Sequence, residues 1–350
     1  MKSRINTALF LVLGILLLSS AAEADRIIPV GQVTNRVRVR HRPDTDSPAI
    51  GSLRFNESAE LLESLPYWYH IKLDNGVPGY VSRAWTRKVS EAEGDGEIVR
   101  AGYWKIGSPA QKELDLKAAA QVIERYFDVI ALSWVEQENF PVSGRALLDE
   151  LGAQWAALPA DLPLSCAILY RTAIIRACPE SKNIKMQPLE TAPDETPAPI
   201  IAFGCFEAPT NKSSTGIDFL FGVYSSPGNG EQSLKSLDKA IADIRTANPS
   251  ERDVLVAGTF GVSAADLQDS IEAQVRTRGA GSVLDPKGEL TGKIYDHLFI
   301  ADEDMTVESI DAPQLLDVRS AAASPQEFYS KISDRLPLLL RLRTTGPDDD

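Results

Sequence analysis

The chain has 350 residues, three cysteines and a net charge of −13, long enough for one or two domains with a real core. The charge is uneven: residues 26–89 carry ten Lys and Arg against six Asp and Glu, net +4, which leaves −17 for residues 90–350. A large unit that acidic repels phosphate backbones, so no nucleic-acid partner is expected for it, whereas the basic stretch suits an anionic cell-surface polymer or is simply solvated charge.

Residues 1–24 read as an export signal. Lys2 and Arg4 form the basic start, 8–18 the apolar core, and Ala22-Glu23-Ala24 a small-x-small cleavage site. The apolar core is shorter than the roughly 20 residues that cross a bilayer. No Cys follows it to carry a lipid, and no second apolar run occurs. The expectation is a periplasmic or secreted chain cleaved near Ala24 with no membrane span, the alternative being an uncleaved anchor.

Within a first unit expected at residues 27–89, residues 33–89 form a run of short strands. Val37-Arg38-Val39-Arg40 alternates, and a turn cluster follows at 42–48. Apolar stretches recur at 49–53, 59–62, 68–73 and 79–81, with Asp74-Asn75-Gly76 as a tight-turn signal. Several strands at this spacing predict a small barrel. If it binds, Tyr67, Tyr69, Tyr80 and Trp85 are the candidates, because aromatic faces give contact area at low entropy cost. Trp68 and Tyr80 are expected mostly in the core. Tyr67, Tyr69 and Trp85 are open between core and face, and His41 and His70 are expected on the surface. Residues 90–97 are acidic and Gly-rich, a linker by composition.

From residue 98 the period changes. Strands are expected at 98–106, 128–132, 200–206, 217–224, from 253, 297–301 and 336–342. Helices are expected from Pro109, from a Ser143 cap through Trp155, over 231–247, and from Ser263 with Asp266 as part of a capping box. Residues 167–170 and 173–175 read as two strands turning near Arg171, which makes Cys166 and Cys178 the disulfide candidate and leaves Cys205 as a buried thiol. The cysteine spacings match no zinc site. Residues 186–199 hold four prolines and read as a loop. Residues 344–350 read as a frayed tail.

Two family resemblances follow. Val37, Val39-Arg40, Pro43, Ile50-Gly51, Leu53, Trp68-Tyr69, Ile71, Leu73, Gly76 and Gly79-Tyr80-Val81-Ser82 resemble the bacterial SH3-like domain. The departures are Arg38 where the family has Asn and His41-Arg42 where it has Ser-Gly. The resemblance implies a partner such as cell-wall peptidoglycan or an envelope protein. Residues 98–343 resemble the endonuclease/exonuclease/phosphatase superfamily, which implies a deoxyribonuclease I-like sandwich of two sheets flanked by helices, four layers in all. The fold class expected is therefore a small all-β barrel followed by an α/β four-layer sandwich.

The second resemblance rests on six phrases. Trp104-Lys105-Ile106 has Lys105 for the family's Asn. The strand ending in Ser133-Trp134 has these for Gln-Glu. Tyr224 stands for His, and Thr259 and Gly261 stand for the Asp and Asn of Gly-Asp-Phe-Asn. Tyr295-Asp296-His297 keeps its Asp. Ser333-Asp334-Arg335 keeps its Asp and replaces the catalytic His. Such enzymes imply Mg²⁺ on hard oxygen ligands and a His as base. Trp134 is no ligand, and Arg335 accepts no proton near neutral pH. No catalytic residue and no cofactor are therefore expected. The alternative is a divergent Mg²⁺-dependent phosphoesterase using Glu136, Asp296 and Asp334 with His297 as base. A Cys/His peptidase is disfavoured, since His297 is the only His outside the barrel.

Overall fold

The computed structural model describes residues 26–29, 33, 36–54, 57–73, 75–89, 98–107, 114–134, 140–158, 166–178, 186–188, 200–208, 216–225, 231–247, 253–270, 282–293, 295–300 and 313–344. The expected export signal, the linker at 90–97, Glu136 and the tail beyond Thr344 lie outside them. Thr344 itself is buried at the end of the last strand.

The first unit is a sheet of β1 (Arg26–Pro29), β2 (Arg36–Arg40), β3 (Ala49–Arg54), β4 (Ala59–Ser64), β5 (Trp68–Lys72), β6 (Pro78–Ser82) and β7 (Thr86–Val89), in the order β3-β2-β6-β5-β4-β1-β7. Alternation explains β2: Val37 and Val39 enter the core while Arg36 and Arg38 face out. The β5–β6 turn closes with Gly76 at φ 81° and with Asn75 Oδ1 accepting the Val77 N–H.

The second unit has β8 (Ile98–Ile106), α1 (Leu116–Tyr126), β9 (Val129–Trp134), α2 (Phe140–Leu151), β10 (Trp155–Leu158), β11 (Cys166–Arg171), β12 (Arg176–Ala177), β13 (Met186–Pro188), β14 (Ile200–Ala208), β15 (Ile217–Ser225), α3 (Glu231–Ala247), β16 (Val254–Thr259), α4 (Ala264–Ser270), β17 (Asp296–Ile300), β18 (Gln314–Leu315), α5 (Pro325–Lys331) and β19 (Leu338–Arg343). One sheet runs β10-β11-β9-β8-β19-β18 and the other β12-β14-β15-β16-β17, with β13 beside β14.

Period-2 alternation sorts each strand between two cores. On β15, Phe219, Phe221 and Val223 fill the space between the sheets, while Leu220 and Tyr224 meet α3. The inward face of α3 is Leu234, Leu237, Ile241 and Ile244, as its 3.6-residue period predicts. Helices α1 and α2 cover the first sheet and α3 and α4 the second, giving four layers. Gly258 allows a close approach of backbones, because a Cβ there would sit 2.2 Å from the Tyr224 carbonyl oxygen of the parallel neighbour.

Several expectations are corrected. Asp115, rather than a residue near Pro109, caps α1 by accepting the Ala118 N–H at 2.9 Å. Ser143 lies inside α2 rather than at its cap. Gly152, at φ 78°, ends α2, so Trp155 opens a strand instead of extending the helical face. Met186–Pro188 is a short strand within the expected proline-rich loop.

The expected hairpin at Arg171 does not form. Arg171 donates its N–H to Asp128 O and Thr172 donates to Gln154 O. The chain then crosses from β11 in the first sheet to β12 in the second. Cys166 therefore lies in the first sheet, while Cys178 follows β12 of the second. The disulfide is Cys178–Cys205, and Cys166 is the buried free thiol. Burial pushes the Cys166 thiol up to about 12.

Candidate functional site

One polar cluster lies between the two sheets. Strand β8 brings Tyr103 and Lys105 to one face, since they are two residues apart. Parallel pairing sets Lys105 beside Ser133 of β9. Antiparallel pairing sets Thr259, at the end of β16, opposite Asp296, at the start of β17. The segment before β19 supplies Asp334 and Arg335 and is pinned by side chains. Trp104 Nε1 donates to Arg335 O at 3.0 Å, and Ser333 Oγ donates to Lys105 O at 2.6 Å.

Asp296 is the hub and is almost fully buried. Thr259 Oγ1 donates to its Oδ1 at 2.5 Å, and Ser282 Oγ donates to its Oδ2. Arg335 Nε lies 3.4 Å from Asp296 Oδ2, an ion pair without a hydrogen bond. Arg335 Nη1 lies 2.8 Å from Asp334 Oδ2 and also donates to Asp334 O at 3.1 Å. Tyr103 extends the network, its hydroxyl 2.9 Å from Thr259 Oγ1 and 2.5 Å from Ser133 Oγ. Burial raises the Tyr103 phenol, and the Asp296 charge adds to that. Burial lowers the Lys105 ammonium, with Arg335 adding and Asp334 and Asp296 opposing. Burial raises the Asp334 carboxyl against the pull of Arg335 and Lys105.

The cluster thus gathers Lys105, Thr259, Asp296, Asp334 and Arg335, five of the eight residues expected at the family positions. Trp134 is buried at the end of β9. Gly261 occupies the turn after β16 at φ 72°. Tyr224 lies on the other side of its sheet, among the α3-side apolar residues, stacked on Phe260 with ring centroids 4.6 Å apart. His297 follows Asp296 and so faces the opposite way. One ring nitrogen, Nε2, meets Val262 O at 2.7 Å, the ring tilts against Phe260, and burial lowers its basicity. It is not positioned to serve Asp296 as a base. Sequence reasoning missed Tyr103 and Ser282. The i, i+2 relation to Lys105 marks Tyr103, whereas nothing local marks Ser282.

The described residues of the cluster do not fit Mg²⁺. That ion takes near-octahedral oxygen ligands with carboxylates. Here Asp296 and Asp334 already meet one guanidinium, and the Lys105 ammonium stands beside them. Two fixed cations repel a third. Among the described residues no group of three His, Cys, Asp or Glu converges on a point.

On the barrel, Tyr69 is core and Tyr80 is partly buried, stacked on His70 with ring centroids 4.5 Å apart. Trp68 is also only partly buried. Tyr67 and Trp85 are 79% and 51% exposed. The Arg83 N–H donates to Tyr67 O at 3.0 Å, which joins the β4–β5 turn to the loop that carries Trp85. The Arg83 guanidinium sits 5.0 Å from the Tyr69 ring centre and donates to Leu65 O.

Residues 35–87 match the bacterial SH3 domain model, so the barrel is a module of that type. The chain matches no curated protein. An endonuclease/exonuclease/phosphatase from Bacteroides vulgatus is similar in structure at 12% identity, with a TM-score of 0.51 over 71% of this chain and 99% of that one. A mannosyl-6-phosphatase from Bacteroides thetaiotaomicron aligns at 14% identity and a TM-score of 0.49, over 69% of this chain and 98% of that one. At 12% identity the Bacteroides vulgatus structure shows the fold alone, and the second unit has the endonuclease/exonuclease/phosphatase fold.

Proposed function

We propose that this chain is an exported, non-catalytic binding protein. Its SH3-type module engages cell-wall peptidoglycan or an envelope protein, and its phosphoesterase-like unit serves as a second interaction surface. The observation that carries the non-catalytic reading is Arg335. It stands at the position of the family's base, cannot accept a proton, and forms ion pairs with the two carboxylates the family pattern retains. Export is supported by the Cys178–Cys205 disulfide, a bond that persists in oxidising compartments.

Wild-type protein is expected to keep its unfolding temperature in millimolar Mg²⁺, Mn²⁺ or Ca²⁺, because a ligand raises stability only by binding the native state. It is also expected to release no product from phosphomonoesters or phosphodiesters. A metal-dependent rise that disappears in Asp296→Ala, accompanied by turnover, would instead establish the divergent phosphoesterase.

For the barrel, Tyr67 and Trp85 are the proposed contacts. The double change to Ala is expected to weaken co-sedimentation with purified peptidoglycan at least about tenfold, since central aromatic anchors each contribute about 2 kcal/mol or more. Its unfolding midpoint should stay unchanged, because both side chains are exposed. Undiminished sedimentation would remove these residues from the contact surface.

A further inference from the structure

A cleft of about 660 Å³ opens where the barrel meets the large unit. Its volume falls in the range of small-molecule sites, and domain junctions are favoured places for them. The barrel wall is Arg36 and Arg54. The facing wall is Tyr126 and residues 316–320 and 322–325, with Glu289 at the side.

Arg36 and Arg54 are direct cross-strand partners of β2 and β3, on one outward face. Like charges placed opposite each other cost stability. Arg36 has no acidic partner among the described residues. Among the described residues the Arg54 guanidinium reaches only Glu57, at 4.0 Å, and Glu57 is shared with Arg125 at 3.6 Å. The arginine of the other wall is already satisfied. Arg319 holds Asp317 through two donors at 2.9 and 2.7 Å and donates to Gly288 O. Glu289, 68% exposed at the rim, lies 3.7 Å from the same guanidinium, so the positive charge in the cleft without a close acidic partner is that of the paired guanidiniums of the barrel. Ser324 adds a hydroxyl that accepts the Glu327 N–H, so its own hydrogen is left to donate.

We infer that this cleft binds a small molecule through a phosphate or carboxylate group, with Arg36 and Arg54 as the oxyanion donors. Guanidiniums match such groups with two parallel hydrogen bonds. A ligand seated there touches both units and holds the barrel against the sandwich, which goes beyond the wall contact proposed for Tyr67 and Trp85.

The test is calorimetric titration of the full chain with pyrophosphate and, separately, with citrate at low salt. Saturable one-site binding is expected for at least one of them. Binding of pyrophosphate alone assigns a phosphate ligand, and binding of citrate alone assigns a carboxylate. Arg36→Ser with Arg54→Ser should weaken it at least about tenfold, the loss of two charge-assisted hydrogen bonds. Arg38→Ser should leave it unchanged, since Arg38 faces out from β2 without lining the cleft. Absence of saturable binding by either anion overturns the inference. So does equal weakening by Arg38→Ser, which would mark a diffuse basic face.

Discussion

Replacing Asp296 with Ala is expected to cost the large unit about 3–5 kcal/mol, the range for removing one partner of a buried ion pair. The loss has several parts. Arg335, with a side chain only 10% exposed, loses a counter-charge. Thr259 and Ser282 lose the carboxylate that accepts their hydroxyls, and a buried donor without an acceptor is itself costly. Tyr103 is linked to Asp296 through Thr259, so the disturbance reaches β8. Urea unfolding checks the value. A loss under about 1 kcal/mol would mean that Asp296 is not the hub. The double variant Asp296→Ala with Arg335→Met should recover much of the loss, because replacing both charges by apolar groups is often near neutral. A catalytic carboxylate predicts the reverse emphasis: activity lost with little effect on stability.

The second large effect concerns the disulfide. Changing Cys178 and Cys205 together to Ser is expected to lower the unfolding free energy by roughly 3.5 kcal/mol, the chain-entropy value for a closed loop of this length. The two residues are 27 apart in sequence. The bond ties the segment after β12 to the middle of β14, and the Cys178 N–H also donates to Cys205 O at 3.0 Å. Thiol labelling checks the pairing independently. Native protein should label at none of its cysteines, since Cys166 is fully buried. Protein denatured without reductant should label once, at Cys166. Labelling at Cys205 instead would restore the Cys166–Cys178 pair.

That pairing shows where local reading stops. Residues 166–178 carry apolar runs around polar residues, a pattern that equally describes a hairpin and two strands of different sheets. The choice is made by Asp128 O and Gln154 O, which take the N–H groups of Arg171 and Thr172 and turn the chain across the sandwich. Both acceptors are distant in sequence. Trp155 teaches the same lesson in reverse. Its spacing continues the helical stripe of Leu147 and Leu151, yet Gly152 at positive φ ends the helix first.

The cluster was legible in part. Lys105, Thr259, Asp296, Asp334 and Arg335 could be found because each sits within a short phrase next to the start or the end of a strand. Tyr224 and His297 could not be sorted, because strand alternation turns each away from the neighbour that marks the site. By itself the sequence determined the two-unit order, the barrel pattern, the helical face of α3 and that His297 is the one histidine outside the barrel. These depend on periodicity and residue identity, which are local. Only the tertiary structure decided that Arg335 lies against both remaining carboxylates, that Cys205 is the partner of Cys178, and that Arg36 and Arg54 face a cleft between the units. Each depends on segments far apart in the chain being packed together, and the free energy of that packing is a property of the assembled layers.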